Sequence, residues 1–376
     1  MEIQTFKVEE WMNAHEKTAV YNIADTCVNT LTLNELFSIT KTNKTEFFEK
    51  ISDKKLGYGH IQGSLEYKTG ICNLYKKLKP DNIISTNGAA GANYLTFYSL
   101  VNPEDRVISV TPTYQQLYSI PDSFGADVQY LHLRPENNFL PDLKELKNLI
   151  NKKTKLICIN NPNNPTGALI PEAMLQEISE IANGAYVLCD EVYRGLTHKD
   201  TYQVSITDIY EKGISICSMS KIFSLAGLRL GWIGSQDEDV IEKCLKHREY
   251  NIISCGLLDE IFAAHALSHA EVIIERNKKI IKENLQILDN WIKNQKHYSY
   301  IKPEAGTTAL LFYDFDMTSE EFCEKIHKEK GVFLTPGFCF DIEKCARIGY
   351  AGEKTELTNG LKMLEEFANE LEQEVC

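Results

Sequence analysis

Between residues 81 and 234 short apolar runs recur, separated by segments of helical pattern. They read DNIIST, DRVISV, DVQYLHL, TKLICIN, AYVLCD, GISICS and LRLGWIG. Short apolar runs without clean polar alternation suit strands that are covered on both faces. The segments between them predict helices: GAAGANYLTFYSLV, YQQLYSIPDSFG, PDLKELKNLI and PEAMLQEISEIANG. Pro141 suits the first turn of the third, and Gly184 marks the stop of the fourth. Upstream, SLEYKTGICNLYKKLK puts Ile71, Leu74, Tyr75 and Leu78 on one face of a helix. Strands alternating with helices imply parallel neighbours joined by crossovers, hence an α/β fold with a mostly parallel sheet and helices on both faces.

After about residue 258 the texture changes. AEVIIERNKKIIKENLQILDNWIKN predicts a long amphipathic helix, and TTALLFYDF, SEEFCEKIHKEKG, CARIGYA and ELTNGLKMLEEFANELEQE mix strands with helices. A smaller α+β domain is expected there. The expected division is an N-terminal arm with part of the small domain at 1–45, a large domain at 46–258 that carries these strands, and the small C-terminal domain at 259–376. A chain of 376 residues, 43% hydrophobic, can bury a core for both.

Charge and composition exclude several classes. With 53 acidic and 40 basic residues the net charge is -13, and no basic run offers the footprint that nucleic acid needs. The start, MEIQTFKVEEWMNAHEK, has no apolar core of a secretory signal, and no apolar run approaches the ~18 residues of a membrane span. A cytoplasmic protein without membrane contact is expected. The eleven cysteines form no CxxC pair, and Cys158, Cys189 and Cys217 sit in strand-like runs. Buried thiols are expected, with neither a metal site nor a disulfide framework.

In open parallel sheets, ligands bind beyond the carboxyl ends of strands, and the unusual motifs fall at such ends. In STNGAAGANYL, Gly88, Ala89 and Ala90 lie between a strand and a helix. They make either a tight turn with close helix packing, or a cradle of backbone N–H groups for an anion. INNPNNPTGAL is either a surface turn or, given its prolines, a rigid polar loop with fixed side-chain amides. VLCDEVYRG ends a strand in Asp190, which either caps a helix or, as a partly buried carboxylate, requires a cationic or hydrogen-bonding partner. Tyr193 can present its hydroxyl to the same space. SMSKIFSLAGLRLGWIG holds Lys221 beside Ser218 and Ser220, with Arg229 following. These cations are either solvated surface charges or a reacting amine and an anion clamp. Taken together, a lysine amine, an anion cradle, an arginine, an asparagine amide, a tyrosine hydroxyl and a buried aspartate match one cofactor, pyridoxal 5′-phosphate (PLP).

NPNNPTG, then DEVY, then SMSK…GLRLGW, in that order, resemble the class I/II aminotransferases of PLP fold type I, over about Tyr58 to Arg347. The resemblance implies that Lys221 bonds the cofactor aldehyde as a Schiff base and then moves the substrate α-proton. It implies Asp190 at the pyridine nitrogen, Tyr193 and Asn164 at the phenolic oxygen, and Tyr114, from TPTYQQLY, stacked on the ring. The phosphate falls to the amides of Ala89 and Ala90, to Ser218, Ser220 and Arg229, and to Tyr58 of a neighbouring subunit, which implies a homodimer. Arg347, in CARIGYA, corresponds to the grip on the substrate α-carboxylate, with Asn164 also bordering the substrate. On the residues alone, Tyr114 reads equally as a core tyrosine and Arg347 as a strand-edge arginine. PEAGTTALLFY departs from the family in lacking paired glycines and a large aromatic, which leaves side-chain specificity open.

The front segment, EEWMNAHEKTAVYNIADTCVNTL, resembles PLP enzymes that process arginine, including arginine oxidases and capreomycidine synthase. That likeness implies Asp25 near the substrate, with Glu9 and Glu10 as further candidates to pair with a guanidinium; the bland reading of Asp25 is a turn cap. Where the oxidases carry a histidine, this chain has Cys27. The expected activity is transfer of an amino group from an L-amino acid, an arginine-like one being the candidate, to a 2-oxo acid. The alternative is a lyase, cyclase or oxidase acting on an arginine-like amino acid. An amino-acid-sensing regulator would need a DNA-binding module, which the chain does not announce.

Overall fold

The structure, a computed structural model, describes residues 2–198 and 202–375. A short strand, β1 (Tyr21–Asn22), comes first. Next come β2 (Ile83–Thr86), β3 (Arg106–Thr111), β4 (Asp127–His132), β5 (Thr154–Asn160), β6 (Tyr186–Asp190), β7 (Gly213–Ser218) and β8 (Gly231–Ser235). These build a seven-stranded sheet in the order β2-β8-β7-β6-β5-β3-β4. Within it β8 runs antiparallel to both its neighbours, while β4, β3, β5, β6 and β7 pair in parallel. The fold is α/β, with a mostly parallel sheet.

Both faces of this sheet are apolar because successive strand residues point to opposite sides. Along β5, Leu156 and Cys158 join the core on one face, with Ile84, Leu95 and Ile214. Ile157 and Ile159 join the other, with Val110, Leu175 and Ile178. Cys158, Cys189 and Cys217 are buried thiols within the sheet.

The remaining strands are β9 (Tyr298–Tyr300), β10 (Thr308–Tyr313), β11 (Val332–Phe333), β12 (Thr335–Pro336) and β13 (Cys345–Gly349). Four of them form an antiparallel sheet in the order β12-β13-β10-β9. β11 instead pairs in parallel with β1, Tyr21 opposite Val332. The N-terminal helix, Lys7–His15, rests on the same region, its Trp11 indole donating to the Leu334 carbonyl at 2.9 Å. No helix among the described residues is long and apolar enough to cross a membrane.

Two local expectations fail. The helix expected through Leu78 ends at Cys72. Beyond it the Tyr75 hydroxyl bonds Ser215 and receives the Trp232 indole N–H, and Leu78 lies over Gly234, so tertiary contacts override the helical period. Pro141 does not occupy a first turn: the helix Leu143–Leu149 is capped by Asp142, whose carboxylate accepts from the Lys144 and Glu145 N–H groups.

Candidate active site

The carboxyl ends of β3, β5, β6 and β7 open onto one cavity of about 370 Å³. At one end lies the helix Gly88–Leu100, whose N-cap, Asn87, makes no side-chain capping bond. Ala89 and Ala90 line the cavity there, with Ser218 and Ser220 from the end of β7. Gly88 has φ +68, and a β-carbon on it would meet the Arg229 Nη2 at 2.9 Å. The arginine therefore passes directly over the first turn. Its Nη1 donates to the Ala226 carbonyl at 2.9 Å, and its own φ is +50, which turns the chain back into β8. Free N–H groups at a helix start beside a guanidinium make a site for a phosphate-like anion.

Asp190 ends β6 in the middle of the cavity. It caps no helix. Its Oδ2 accepts from Asn93 Nδ2 at 3.1 Å, and its Oδ1 from the Val192 N–H at 3.2 Å. Burial pushes its carboxyl up to about 6, against the opposing pull of Asn93 and the Val192 amide. Tyr193 and Asn164 line the same space. In the asparagine loop the peptide bonds Asn161–Pro162 and Asn164–Pro165 are cis. Asn160 and Asn163 tie this loop to the strand ends, through the Asp190 carbonyl at 2.9 Å and the Pro112 carbonyl at 3.2 Å. This leaves the Asn164 side chain at the cavity, where it accepts from Arg347 Nη1 at 3.3 Å.

The opposite wall comes from the N-terminus. Lys221 Nζ donates to Thr26 Oγ1 at 2.5 Å and to Cys27 Sγ at 3.2 Å. Burial disfavours the ammonium, while Cys27, Tyr193 and Asp25 beside it oppose this, so the lysine is held above its ordinary value. Arg347, only 2% exposed, donates from Nη2 to the Ala24 carbonyl and to Thr335 Oγ1. Its Nε has no hydrogen-bond partner among the described residues. Asp25 lines the cavity while its Oδ1 accepts from the Cys27 N–H at 2.8 Å, so it also shapes a turn. Glu9 and Glu16 line this wall too, and Glu9 accepts from the Tyr114 hydroxyl at 2.9 Å. Glu10 is exposed and stands outside the cavity lining. Tyr58 is 83% exposed and likewise outside the lining.

Sequence reasoning missed Asn93, Thr26 and the cavity face of the N-terminal helix, Val8, Met12 and Glu16. For Asn93 there was a signal: it is a lone amide inside the apolar helix GAAGANYLTFYSL. For Thr26 there was none beyond its place beside Asp25.

The chain resembles known proteins over nearly its whole length. It is 32% identical to an aspartate aminotransferase of Pyrococcus horikoshii over 81% of each chain. It is 30% identical to capreomycidine synthase of Streptomyces vinaceus over 76% of this chain and 74% of that one. The crystal structure of a PLP-dependent aminotransferase from Streptococcus suis, 44% identical, superposes with a TM-score of 0.95 and covers 98% of this chain and 99% of its own. The fold is that of the type I PLP enzymes. More narrowly, residues 23–364 match aminotransferase class I and II, and the chain belongs to that family of PLP-dependent aminotransferases.

Proposed function

We propose that this cavity holds PLP and transfers the amino group of an L-amino acid to a 2-oxo acid. The observation that carries the assignment of residues is the convergence of Lys221, Asp190, Arg229 and Arg347 on one cavity. The chain's residues fit the cofactor. The uncapped helix start and the Arg229–Gly88 contact suit its phosphate. A carboxylate pushed up by burial suits a protonated ring nitrogen.

When bound, the cofactor supplies an aldehyde that bonds amines and a ring that accepts electron density from the substrate α-carbon. Lys221 would be the amine that bonds that aldehyde and the base that moves the substrate α-proton. Asp190, oriented by Asn93, would favour a proton on the ring nitrogen. Tyr193 and Asn164 would hold the phenolic oxygen, and Tyr114 would border the ring. Ala89, Ala90, Ser218, Ser220 and Arg229 hold the phosphate. Arg347 binds the substrate carboxylate, with Asn164 beside it.

The same reading includes two domains, 46–258 and 259–376, with 1–45 as an arm against the smaller, and a cytoplasmic homodimer. Exposed Leu56, Tyr58, Ile61 and Leu65 adjoin exposed Tyr250, Ile253 and Leu258. Gly59 joins the two segments, since a β-carbon on it would strike the Cys255 carbonyl at 2.7 Å. A second copy would cover this apolar face, and the family resemblance assigns its Tyr58 to the phosphate.

For the donor we propose an arginine-like amino acid. Glu9, Glu16 and Asp25 supply negative charge on the wall facing Arg347's cavity, and capreomycidine synthase is among the relatives. The test is a substrate screen that follows pyridoxamine phosphate formation, release of pyruvate or ammonia, and oxygen uptake, with arginine, lysine and methionine. Asp25→Asn should raise KM for arginine and spare methionine. Equal losses for both substrates, or no turnover of arginine, refute this donor; ammonia or oxygen signals without pyridoxamine phosphate refute transamination.

A further inference from the structure

A lysine that exchanges a covalent bond in every cycle needs a second resting place for its free amine. A buried ammonium carries three donors and no acceptor, so an unpartnered one is costly. Here Lys221 Nζ meets Thr26 Oγ1 at 2.5 Å and Cys27 Sγ at 3.2 Å. We infer that Thr26 and Cys27 are positioning residues that dock the free amine of Lys221 between its encounters with cofactor and substrate. The inference rests on the assignment of Lys221 as the reacting lysine.

The backbone that carries the dock is tied to its neighbours at several points. Thr307 Oγ1 donates to the Thr26 carbonyl at 3.0 Å. The Cys27 N–H is held by Asp25 Oδ1 at 2.8 Å. The Gly349 N–H donates to the Ile23 carbonyl at 2.8 Å, and Arg347 Nη2 to the Ala24 carbonyl at 3.2 Å. The segment that receives the amine thus also touches the arginine proposed for the substrate carboxylate.

The dock sets protonation as well as position. The titratable and charged groups that share the cavity with Lys221 are Asp25 and Cys27 on the arm, Glu9 and Glu16 before it, Tyr114 after β3, Asp190 and Tyr193 at the end of β6, Arg229 beyond its own loop, and Arg347 on β13. Burial pushes the ammonium down, and the arm opposes it. Removing Cys27 weakens that opposition while Tyr193 and Asp25 remain, so burial counts for more and the amine loses its proton at lower pH.

The experiment compares wild type with Thr26→Val, Cys27→Ala, the double variant and Cys27→Ser. In cofactor-stripped full-length protein, the rate of Lys221 acetylation by acetic anhydride is followed across pH by peptide mapping. The midpoint should fall in the double variant, and the rate at pH 8 should rise about tenfold for every whole pH step by which it falls. Cys27→Ser, which keeps an acceptor, should stay near wild type. In the cofactor-loaded enzyme, the acid limb of the kcat–pH profile should move the same way. Borohydride reduction followed by mapping separates the two levels. An adduct on another lysine overturns the assignment of Lys221 and the dock with it. An adduct on Lys221 with an unmoved midpoint, even where labelling is faster at every pH, overturns the dock alone.

Discussion

Gly349→Ala tests whether the N-terminal arm holds the site together. A β-carbon at 349 would lie 2.0 Å from the Asp25 carbonyl oxygen, 2.9 Å from the Asp25 carbonyl carbon and 3.0 Å from that of Ala24. Backbone atoms leave no flexible end to give way, so the arm must retreat from β13 by roughly 1 Å or more. The bond from the Gly349 N–H to the Ile23 carbonyl would stretch, and with it the Arg347 contact to Ala24 and the Lys221 contacts to Thr26 and Cys27. Overpacking of this kind costs about 1–3 kcal/mol of stability. Displacing catalytic groups by ~1 Å costs on the order of 10²-fold in kcat/KM. The control is Gly352→Ala, where an added β-carbon meets nothing within 4 Å; its stability should stay within about 0.5 kcal/mol of wild type. Steady-state kinetics and urea unfolding of both variants check the expectation. Gly349→Ala with kcat/KM within twofold of wild type would show that the arm's seat on β13 does not govern the site.

Asp190→Asn should retain cofactor but lose most of its turnover, because an amide cannot stabilise a protonated ring nitrogen as a carboxylate does; absorbance and kcat measure both, and near-normal rates contradict the role. In cofactor-stripped protein the Asp190 carboxyl is raised from 3.8 to about 6 by burial, so its stabilising contribution is present below the unfolded value and disappears as pH rises through the folded one. The unfolding free energy of wild type relative to Asp190→Asn should therefore fall by about 2 kcal/mol between pH 4 and 7. Denaturation curves that keep a constant gap over this range would show otherwise. Mixing Lys221→Ala with Tyr58→Phe chains should recover activity in hybrid dimers, since one site carries both lesions and the other neither; no recovery after verified exchange argues against shared sites.

What was legible in the sequence follows from where the signal is local. Strand ends announce themselves through composition, so Asp190, Asn164, Ser218 and Lys221 could be read from short motifs, and the cavity contains them all. The doubly apolar sheet was legible because neither face of β5 carries charge at Leu156 to Ile159. The reach of the helix that ends at Cys72 was not, because the pull of Ser215 and Trp232 on Tyr75 comes from far along the chain. Nor was the N-terminal wall. The helix Lys7–His15 buries only Val8 and Trp11 among its residues, which is too little periodicity to read. Its cavity face is defined by Tyr114 and Lys221 opposite, not by its own pattern.

The pairing of β1 with β11 has a consequence for how the protein is made. Tyr21 waits for Val332, and the Ile23 carbonyl waits for Gly349. A chain leaving the ribosome presents Lys221, Asp190 and Arg229 while the strand on which the arm will lie is still unwritten. Domains form roughly in order of synthesis, so the sheet can exist before its wall does. The wall formed by the arm therefore depends on residues made late, and a chain cut short before residue 332 lacks the strand against which Tyr21 pairs.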